Sequence, residues 1–376
     1  MKILFPFIGE TIGGSHISAI TAVSELRKLS NVEPIIGLHV EGRLCGLLQD
    51  RNLSWVTLPN SGLVASRNFR GKKLATGLTL VPSLRKVLTE LGVDIVHTHD
   101  FRMHPLWSWV THSTKVMHIF HQRTPNTNTG YWVKIAGDSD ALITISEYAR
   151  SCFPPPLDMK SIILPNPVED AVEKKNQEIS RDVRNALSVP LTATLVGWFA
   201  NMAKRKRPLD FVRMAEILVQ REHNLPLHFV MAGGDKAGIF EEIKHEVRSR
   251  GLEQVVHLIG WHDRPQWLMA GMDVTVATSE REAFGRTLVE SILAGTPVVA
   301  SDAGAHPEVL DRGDFGRLYP VGDVSALADT ASAALNNHDA TMRQVAKAQT
   351  VLSLRHSPTT HAHHLKDIYE EILWHS

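Results

Sequence analysis

Short runs of apolar and β-branched residues alternate with longer stretches of amphipathic spacing along most of the chain. In the first half, the runs lie at residues 2–7, 33–38, 54–58, 95–97, 116–121, 141–145 and 161–164. A second series lies at residues 193–197, 228–232, 255–259, 274–277 and 297–301. Strands separated by helical stretches are typical of βαβ units around a parallel sheet. The pattern therefore predicts an α/β protein with two doubly wound units.

The segment between the two series has the composition of an interdomain turn. Residues 165–170 read PNPVED, and a polar, charged stretch follows to about residue 182. Two prolines favour a turn over a helix or strand. From about residue 359 the tail has helical spacing and no further strand. We expect an N-terminal domain at 1–168, a C-terminal domain at 169–358, and a helix at 359–376 that crosses back to the first domain.

Composition narrows the class of protein. The chain has 376 residues, 43% of them hydrophobic, which is enough for two cores. Its 40 basic and 40 acidic residues balance, so we expect no nucleic-acid partner. Cys45 and Cys152 are the only cysteines, which indicates a reducing compartment, the cytoplasm. The apolar run at residues 1–8 is short and contains Pro6, so it predicts a strand rather than a signal peptide. No window holds the ~20 apolar residues of a membrane span.

The most specific chemical signal is SEREAFGRTLVE at residues 279–290, directly after an apolar run. It predicts a strand, a glycine-containing turn and the start of a helix. Such a junction offers backbone N–H groups and a positive dipole end to an anion such as a diphosphate. Glu282 would lie in the loop, and Glu290 on the helix could accept hydrogen bonds from ribose hydroxyls. The alternative is a capped amphipathic helix with two solvated glutamates.

This stretch resembles the motif of family 4 glycosyltransferases in which seven residues separate two glutamates, here Glu282 and Glu290. The family form is Glu-Gly-Phe-Gly, where this chain has EAFG at 282–285. The resemblance continues through AGTPVVASDAGAHPE at 294–308. Shorter matches span nearly the whole chain in the family's order: GGSH at 13–16, IVHTH at 95–99, ITISE at 143–147, LPN at 164–166, and residues 316–323.

The resemblance implies a GT-B fold, with two Rossmann-like domains facing a central cleft, and retention of the anomeric configuration. It places the nucleotide-sugar donor on the second domain and the acceptor mostly on the first. Glu290 would hold the ribose and Glu282 the hydroxyls of the donor sugar. Amides in the stretch Ala283, Phe284, Gly285, Arg286 and Thr287 would bind sugar and phosphate. The departing diphosphate would itself help take the acceptor's proton while positive groups stabilise its charge.

Those positive groups are expected in GWFANMAKRKRP at 197–208, which resembles the family's Gly-Arg segment and phosphate-binding lysine. Trp198 stands where the family usually has arginine, so the positive groups that bind the diphosphate (the diphosphate clamp) must be assigned to other residues. We favour Lys206, which precedes Arg-Pro as the family lysine often does, with Lys204 and Arg205 as substitutes. The alternative is a solvated basic turn before a helix.

Two features of the first half complete the expected site. Gly13 and Gly14 follow the first strand, where missing side chains would let the loop approach the donor or acceptor. Paired glycines there are otherwise a tight turn. His121, at the end of a predicted strand, matches a family histidine close to the reacting centre and could orient or polarise hydroxyls. It is otherwise a structural histidine.

We expect no metal and no other cofactor. Asp138-Ser-Asp140 has the Asp-x-Asp spacing of metal sites in a different glycosyltransferase fold, but it leads directly into a strand. His97 and His99, and the cluster His361, His363 and His364, have no evident third and fourth zinc ligands at the usual spacing. Gly233-Gly-Asp235 follows a strand without a full dinucleotide-binding glycine fingerprint.

The sequence thus predicts a retaining, metal-independent transferase using a UDP- or GDP-sugar and a glycan or lipid-linked acceptor in surface polysaccharide or glycolipid synthesis. A sugar-nucleotide epimerase of the same architecture is an alternative, disfavoured by the glutamate motif. A non-catalytic nucleotide-sugar-binding protein is another, disfavoured because both glutamates are present. A nicotinamide oxidoreductase is disfavoured by the incomplete glycine fingerprint.

A basic segment suggests where the enzyme works. Residues 67–74, RNFRGKKL, combine Arg67, Arg70, Lys72 and Lys73 with two apolar residues ahead of an amphipathic stretch at 78–91. Each cation near an anionic membrane contributes about 1 kcal/mol of attraction. We expect peripheral contact with the inner face of the plasma membrane; the alternative is a solvated loop.

Overall fold

The computed structural model describes residues 1–60, 79–99, 102–124, 130–170, 174–222, 225–235 and 238–374. The chain divides into two compact units, one formed by Met1–Glu169 with His356–Ser376 and the other by Asp170–Arg355. The first boundary lies one residue from the predicted 168, and the return to the first unit lies three residues before the predicted 359. Each unit is an α/β body with its own sheet.

The first unit contains a seven-stranded sheet in the order β3-β2-β1-β4-β5-β6-β7, in which every pair is parallel. The strands are β1 (Lys2–Phe7), β2 (Glu33–Leu38), β3 (Val56–Thr57), β4 (Ile95–Thr98), β5 (Met117–Gln122), β6 (Ala141–Thr144) and β7 (Ile162–Ile163). Parallel strands need crossover connections, which here are helices on both faces. The order reverses between β1 and β4, as in a doubly wound fold.

The second unit repeats this plan with six parallel strands in the order β10-β9-β8-β11-β12-β13. They are β8 (Thr194–Phe199), β9 (Leu227–Ala232), β10 (Val256–Gly260), β11 (Val274–Ala277), β12 (Val298–Ser301) and β13 (Arg317–Tyr319). The strand order reverses between β8 and β11. Ligands of open α/β sheets bind outside the carboxyl ends of strands at such a reversal.

Helices cover both sheets in the described residues. In the first unit they are α1 (Gly14–Leu26), α2 (Arg43–Asp50), α3 (Val81–Leu91), α4 (Met103–Thr111), α5 (Tyr131–Gly137), α6 (Glu147–Ser151) and α7 (Leu157–Lys160). The second unit adds α8 (Gln177–Ala186), α9 (Pro208–Arg221), α10 (Phe240–Ser249), α11 (Pro265–Gly271), α12 (Arg286–Leu293), α13 (His306–Val309), α14 (Val324–Asn336) and α15 (His338–Arg355). The chain then returns to the first unit as α16 (Pro358–Trp374).

Helix α16 belongs to the core of the first unit. Its Leu365 and Tyr369 are fully buried in one apolar cluster with Ile3 and Ile95 of the sheet. Burying a side chain of this size stabilises a fold by about 1.5–3 kcal/mol. Apolar burial therefore fixes the last helix against the first domain, and the predicted fold class is confirmed, including this return.

The strand predictions were close, with two differences. Residues 54–58 and 161–164 were expected as strands, but only Val56–Thr57 and Ile162–Ile163 pair, at the two edges of the sheet. Strand β13 was not predicted. Within the described residues, no helix combines the length and the apolar character needed to cross a bilayer. The basic run with Arg67, Arg70, Lys72 and Lys73 lies outside the described residues.

Candidate active site

The site begins with two loops that leave neighbouring strands of the second sheet. One follows β8 and carries the basic run; the other follows β11 and carries the glutamate motif. Lys204–Lys206 forms a short 3-10 turn in which Lys204 and Arg205 are exposed and Lys206 is half-buried. The Nζ of Lys206 forms an ion pair with the carboxylate of Glu282. The side chains of Lys206 and Glu282 are 13% and 19% exposed, so the pair is largely shielded from water.

This pair sets the charge state of Glu282. Burial alone would raise the pKa of its carboxyl, but the ammonium of Lys206 overcomes that effect and lowers the pKa below its usual range. Glu282 is therefore a carboxylate at neutral pH. It can accept hydrogen bonds from hydroxyl groups, while Lys206 presents a positive charge beside it.

Trp198 holds the two loops together. Its indole Nε1 donates to Thr278 Oγ1 at 2.9 Å, and Thr278 Oγ1 donates to the backbone carbonyl of Lys206 at 2.6 Å. The amide of Glu280 also donates to the Arg205 carbonyl at 3.0 Å. Trp198 is 1% exposed, so it supports the Lys206 turn from within.

A third loop, after β12, supports Glu282 from its backbone side. The amide of Ala305 donates to the Glu282 carbonyl at 2.9 Å. Gly304 has φ +61, and a Cβ there would lie 2.5 Å from the Glu282 carbonyl oxygen, so only glycine permits this approach. His306 is buried, its Nδ1 lies 3.1 Å from the Ser301 carbonyl, and burial lowers its pKa to about 4.

The predicted turn and helix start are present in the glutamate motif. Gly285 precedes α12 with φ +89, a conformation that glycine adopts without strain. In the first turn of α12 the amide of Leu288 donates to the Gly285 carbonyl at 2.9 Å, and the amides of Arg286 and Thr287 come before the first hydrogen bond of the helix. The side chains of Ala283 and Phe284 are buried, which leaves their backbone as the part able to reach a ligand.

Glu290 has a partner that the sequence analysis did not foresee. Arg286 Nε donates to Glu290 Oε1 at 2.6 Å, one helical turn apart. Thr287 Oγ1 donates to the Phe199 carbonyl at 3.1 Å, which fixes α12 to the end of β8. The i, i+4 spacing of Arg286 and Glu290 could have predicted the first contact.

A small cavity lies among the loops that follow β8, β11 and β12. It is lined by Lys206, Glu282, Gly285, Thr287 and His306, all predicted site residues except His306. A larger open hollow in the same unit is lined by other charged side chains, several of which form structural hydrogen bonds or ion pairs. Arg184, for example, donates to Asp273 Oδ2 at 2.7 Å and to the Ala193 carbonyl at 2.9 Å. We assign the site to the small cavity.

The first unit places its predicted residues at the carboxyl ends of its own strands. Gly13 precedes α1 in extended conformation, and Gly14 begins that helix and is exposed. A Cβ on Gly13 would meet only His16 Nδ1, at 3.7 Å. Packing within the protein therefore does not require glycine at position 13. The close approach of a ligand remains the predicted reason for a glycine there.

His121 lies at the end of β5 in a buried cluster with His97 and His99. His97 Nε2 lies 3.1 Å from His121 Nδ1, and the rings of His97 and His99 stack at 4.2 Å. Burial, with the nearby charge of Arg123, holds the pKa of all three well below the usual value. All three imidazoles are neutral at pH 7.

Arg123, which the sequence analysis missed, links this cluster. Its Nε donates to His99 Nδ1 at 3.0 Å, one terminal nitrogen lies 3.3 Å from His121 Nδ1, and the other donates to Asn166 Oδ1. The sequence could have indicated Arg123, because it lies two residues after His121, at the end of the same strand. From the sequence, His97 and His99 had no evident third metal ligand; in the structure His121 lies close enough to be one. A guanidinium donating to two of the three imidazoles makes this a hydrogen-bonded network in which a divalent cation would meet an adjacent positive charge.

The other metal candidates have structural contacts. Asp138 ends α5, and Asp140 Oδ2 accepts from the amide of His118 at 2.7 Å. His361 Nδ1 lies 2.9 Å from the Pro165 carbonyl. In the part of the chain that the structure describes, the only group of three or more His, Cys, Asp or Glu side chains close enough to share an ion is His97, His99 and His121.

Comparison with protein families gives one match. Residues 193–337 match the family described as glycosyl transferases group 1. The range contains Trp198, Lys206 and the whole glutamate motif.

Curated relatives agree with this match. The chain is 30% identical over 199 residues to a D-inositol 3-phosphate glycosyltransferase of Corynebacterium kroppenstedtii, covering 50% of this chain and 43% of that one. It is 29% identical over 208 residues to a 2-deoxystreptamine N-acetyl-D-glucosaminyltransferase of Streptomyces fradiae, covering 54% and 49%. The matches span less than half the length of these two relatives.

Solved structures share the whole fold. The Anabaena protein HepE, in complex with UDP and glucose, superposes with a TM-score of 0.84 at 20% identity, covering 98% of this chain and 99% of that one. A sucrose-phosphate synthase of Thermosynechococcus elongatus gives a TM-score of 0.82 at 15% identity, covering 100% of both chains. At these identities the likeness establishes the GT-B fold alone. With the family match, it confirms the resemblance drawn from the sequence: residues 193–337 are a glycosyl transferases group 1 domain, in a chain with the GT-B fold.

Proposed function

We propose that this protein is a retaining, metal-independent glycosyltransferase that moves a sugar from a nucleotide-sugar donor to a glycan or lipid-linked acceptor. The observation that carries the proposal is the shielded Lys206–Glu282 pair beside the first turn of α12. A nucleotide sugar has a diphosphate and a hydroxylated ring joined at one carbon. A cation and a carboxylate side by side match the two halves of that junction.

Each half of the pair has a role in the proposed reaction. Lys206 and the helix N-terminus stabilise the negative charge that grows on the leaving diphosphate. Glu282 accepts hydrogen bonds from hydroxyls of the donor sugar. The bond from the anomeric carbon to the diphosphate breaks while the acceptor oxygen bonds on the same face, and the acceptor's proton passes to the departing diphosphate. Glu290 holds the ribose, and His121 binds a substrate oxygen.

The comparisons favour a UDP-sugar over a GDP-sugar, since solved structures of HepE are complexes with UDP, with UDP and glucose, and with UDP-glucose. The relatives include a D-inositol 3-phosphate glycosyltransferase, a lipopolysaccharide core biosynthesis mannosyltransferase and a phosphatidyl-myo-inositol mannosyltransferase. We propose a hydroxylated acceptor bound mainly by the first unit, in cell-envelope synthesis at the inner membrane face.

Nucleotide selectivity is the first test. UDP, GDP and ADP are compared for their effect on thermal unfolding, because a ligand of the native state raises stability with the logarithm of its concentration above Kd. We expect UDP to stabilise most, and Lys206→Met to weaken this effect while Lys244→Met on α10 leaves it unchanged. Equal behaviour of all three nucleotides, or of both variants, would contradict the assignment of the site.

Transfer itself is tested next, with the UDP-sugar and acceptor that a screen selects. Activity should persist in excess EDTA, and NMR of the product should show the donor's anomeric configuration. Loss of activity in EDTA with recovery on adding manganese would reopen Asp138 and Asp140 as metal ligands. Membrane contact is tested separately by co-sedimentation with anionic and zwitterionic vesicles, using a variant with Arg67, Arg70, Lys72 and Lys73 neutralised.

A further inference from the structure

The hydrogen bonds around His121 determine which of its ring nitrogens carries the proton. A guanidinium can only donate. Arg123 lies within hydrogen-bonding distance of His121 Nδ1 and donates to His99 Nδ1, so both of these nitrogens are unprotonated acceptors. In a neutral imidazole the proton then sits on Nε2. His99 and His121 are therefore both Nε2–H donors.

The hydrogen-bond network continues from His121 through His97 to the C-terminal helix. His121 Nδ1 has no proton to give, so the 3.1 Å contact with His97 requires His97 Nε2 to be the donor. His97 Nδ1 is then an acceptor, and the Tyr369 hydroxyl, 2.6 Å away, donates to it. One chain of donors thus runs from Tyr369 on α16 through His97 to His121. His121 Nδ1 accepts with a single lone pair, which the Arg123 and His97 donors share.

The end of the network is incomplete within the protein. The Nε2 atoms of His99 and His121 are buried, and no described residue accepts a hydrogen bond from either. A buried donor without an acceptor costs about 1–3 kcal/mol, and native folds retain few of them. A hydroxyl, carboxylate or phosphate oxygen of a bound substrate could accept the missing hydrogen bond from the Nε2–H of His121.

We propose that Arg123, His97 and Tyr369 are positioning residues that hold His121 as an Nε2–H donor, so that His121 binds and polarises a substrate oxygen and does not act as a proton acceptor. The inference rests on the proposed function for the substrate, but the tautomer is a property of the protein alone. Tyr369 lies 248 residues after His121, so the last helix takes part in the site through one hydroxyl.

NMR of the protein labelled with [15N]histidine tests the tautomer directly, with ring signals assigned by single substitutions. We expect His121 and His99 protonated on Nε2, and His97 likewise, in the absence of any substrate. A proton on Nδ1 of His121 would overturn the inference whatever the reaction proves to be. If the tautomers are as expected but no transfer is found, the proposed function fails and the positioning network stands.

Paired substitutions test the consequence for catalysis. The amide nitrogen of glutamine can replace His97 Nε2, whereas asparagine reaches only the position of Nδ1. We expect His97→Asn to lower kcat about tenfold, the loss of one hydrogen bond in the transition state, while His97→Gln stays within about threefold of wild type. Nucleotide affinity should be unchanged in both, because the nucleotide binds the other unit. Equal kcat in both variants would overturn the role of His97.

Tyr369→Phe removes one hydroxyl from the chain and retains the buried ring. Tyr319→Phe is the matched control, since Tyr319 is equally buried and its hydroxyl has no hydrogen-bond partner among the described residues. We expect a severalfold lower kcat for Tyr369→Phe and no change for Tyr319→Phe. Wild-type kcat in Tyr369→Phe, with normal folding of both variants, would remove Tyr369 from the network.

Discussion

Replacing Glu282 by glutamine tests both the ion pair and the proposed chemistry. The substitution keeps the side-chain shape and removes the charge that Lys206 faces. Both side chains are less than one-fifth exposed, so the Lys206 ammonium would remain partly desolvated without its counter-ion. Breaking a fully buried pair from one side costs about 3–5 kcal/mol. Because the two side chains are partly exposed, water screens part of this cost, and we expect the free energy of unfolding of Glu282→Gln to fall by about 2 kcal/mol.

The assay compares urea unfolding of the wild type, Glu282→Gln, Lys206→Met and the double variant. Each single variant should unfold at lower urea, and the double variant should recover most of the loss because neither charge then remains unpaired. The control is Glu280→Gln on the same loop. Glu280 is 39% exposed and lies 3.8 Å from Arg207, so its removal should cost less than about 1 kcal/mol.

Activity separates this structural effect from the chemical one. Glu282→Gln should abolish transfer while UDP still binds, because the proposed partner of Glu282 is the donor sugar. The double variant, although stable, should remain inactive. Wild-type turnover in a stably folded Glu282→Gln would refute the assignment of the site, and additive urea effects of the two single variants would refute the pairing.

Three further outcomes are expected. Glu290→Ala should raise the Kd for UDP about ten- to hundredfold by calorimetry, since hydrogen bonds from ribose to a carboxylate are lost; unchanged affinity would contradict the ribose role. Gly304→Ala should destabilise the second unit and lower turnover, whereas Gly251→Ala, at a similar φ of +65 but with open space, should cost only about 1–2 kcal/mol and leave kcat unchanged. Burial lowers the pKa of His39 from 6.5 to about 4, so the unfolded chain binds its proton first on acidification. The contribution of His39 to the free energy of unfolding should thus be fully present above pH 6.5 and about 3 kcal/mol smaller at pH 4, so the loss on acidification should be smaller by about that amount in His39→Gln, measured by urea titrations.

The fold was predictable because most of its strands are short, continuous, mainly apolar runs. Residues 2–7 and 274–277 were predicted with the observed bounds, since buried parallel strands are apolar throughout. Strand β13 escaped prediction because Arg317–Tyr319 has three residues, begins with a charge and shows no periodicity. It forms at the sheet edge by pairing Arg317 with Val299, which only the folded sheet provides.

The site was predictable as a set of residues but not as a set of contacts. The motif identified Glu282, and the family pattern favoured Lys206, but the two are 76 positions apart. Their contact depends on β8 and β11 being neighbours in the sheet, which their order in the sequence does not show. His97 and Tyr369, 272 positions apart, depend in the same way on where α16 packs.

Trp198 is a departure from the family pattern in the segment that we propose binds the diphosphate. The family usually has arginine there, so the sequence analysis reassigned the binding of the diphosphate to Lys206, with Lys204 and Arg205 as substitutes. The indole instead donates to Thr278, whose hydroxyl bonds the carbonyl of Lys206. A buried, satisfied hydrogen-bond chain of this kind restricts the turn that carries Lys206. Trp198 therefore supports, through Thr278, the turn that carries Lys206, the residue we favour for binding the diphosphate.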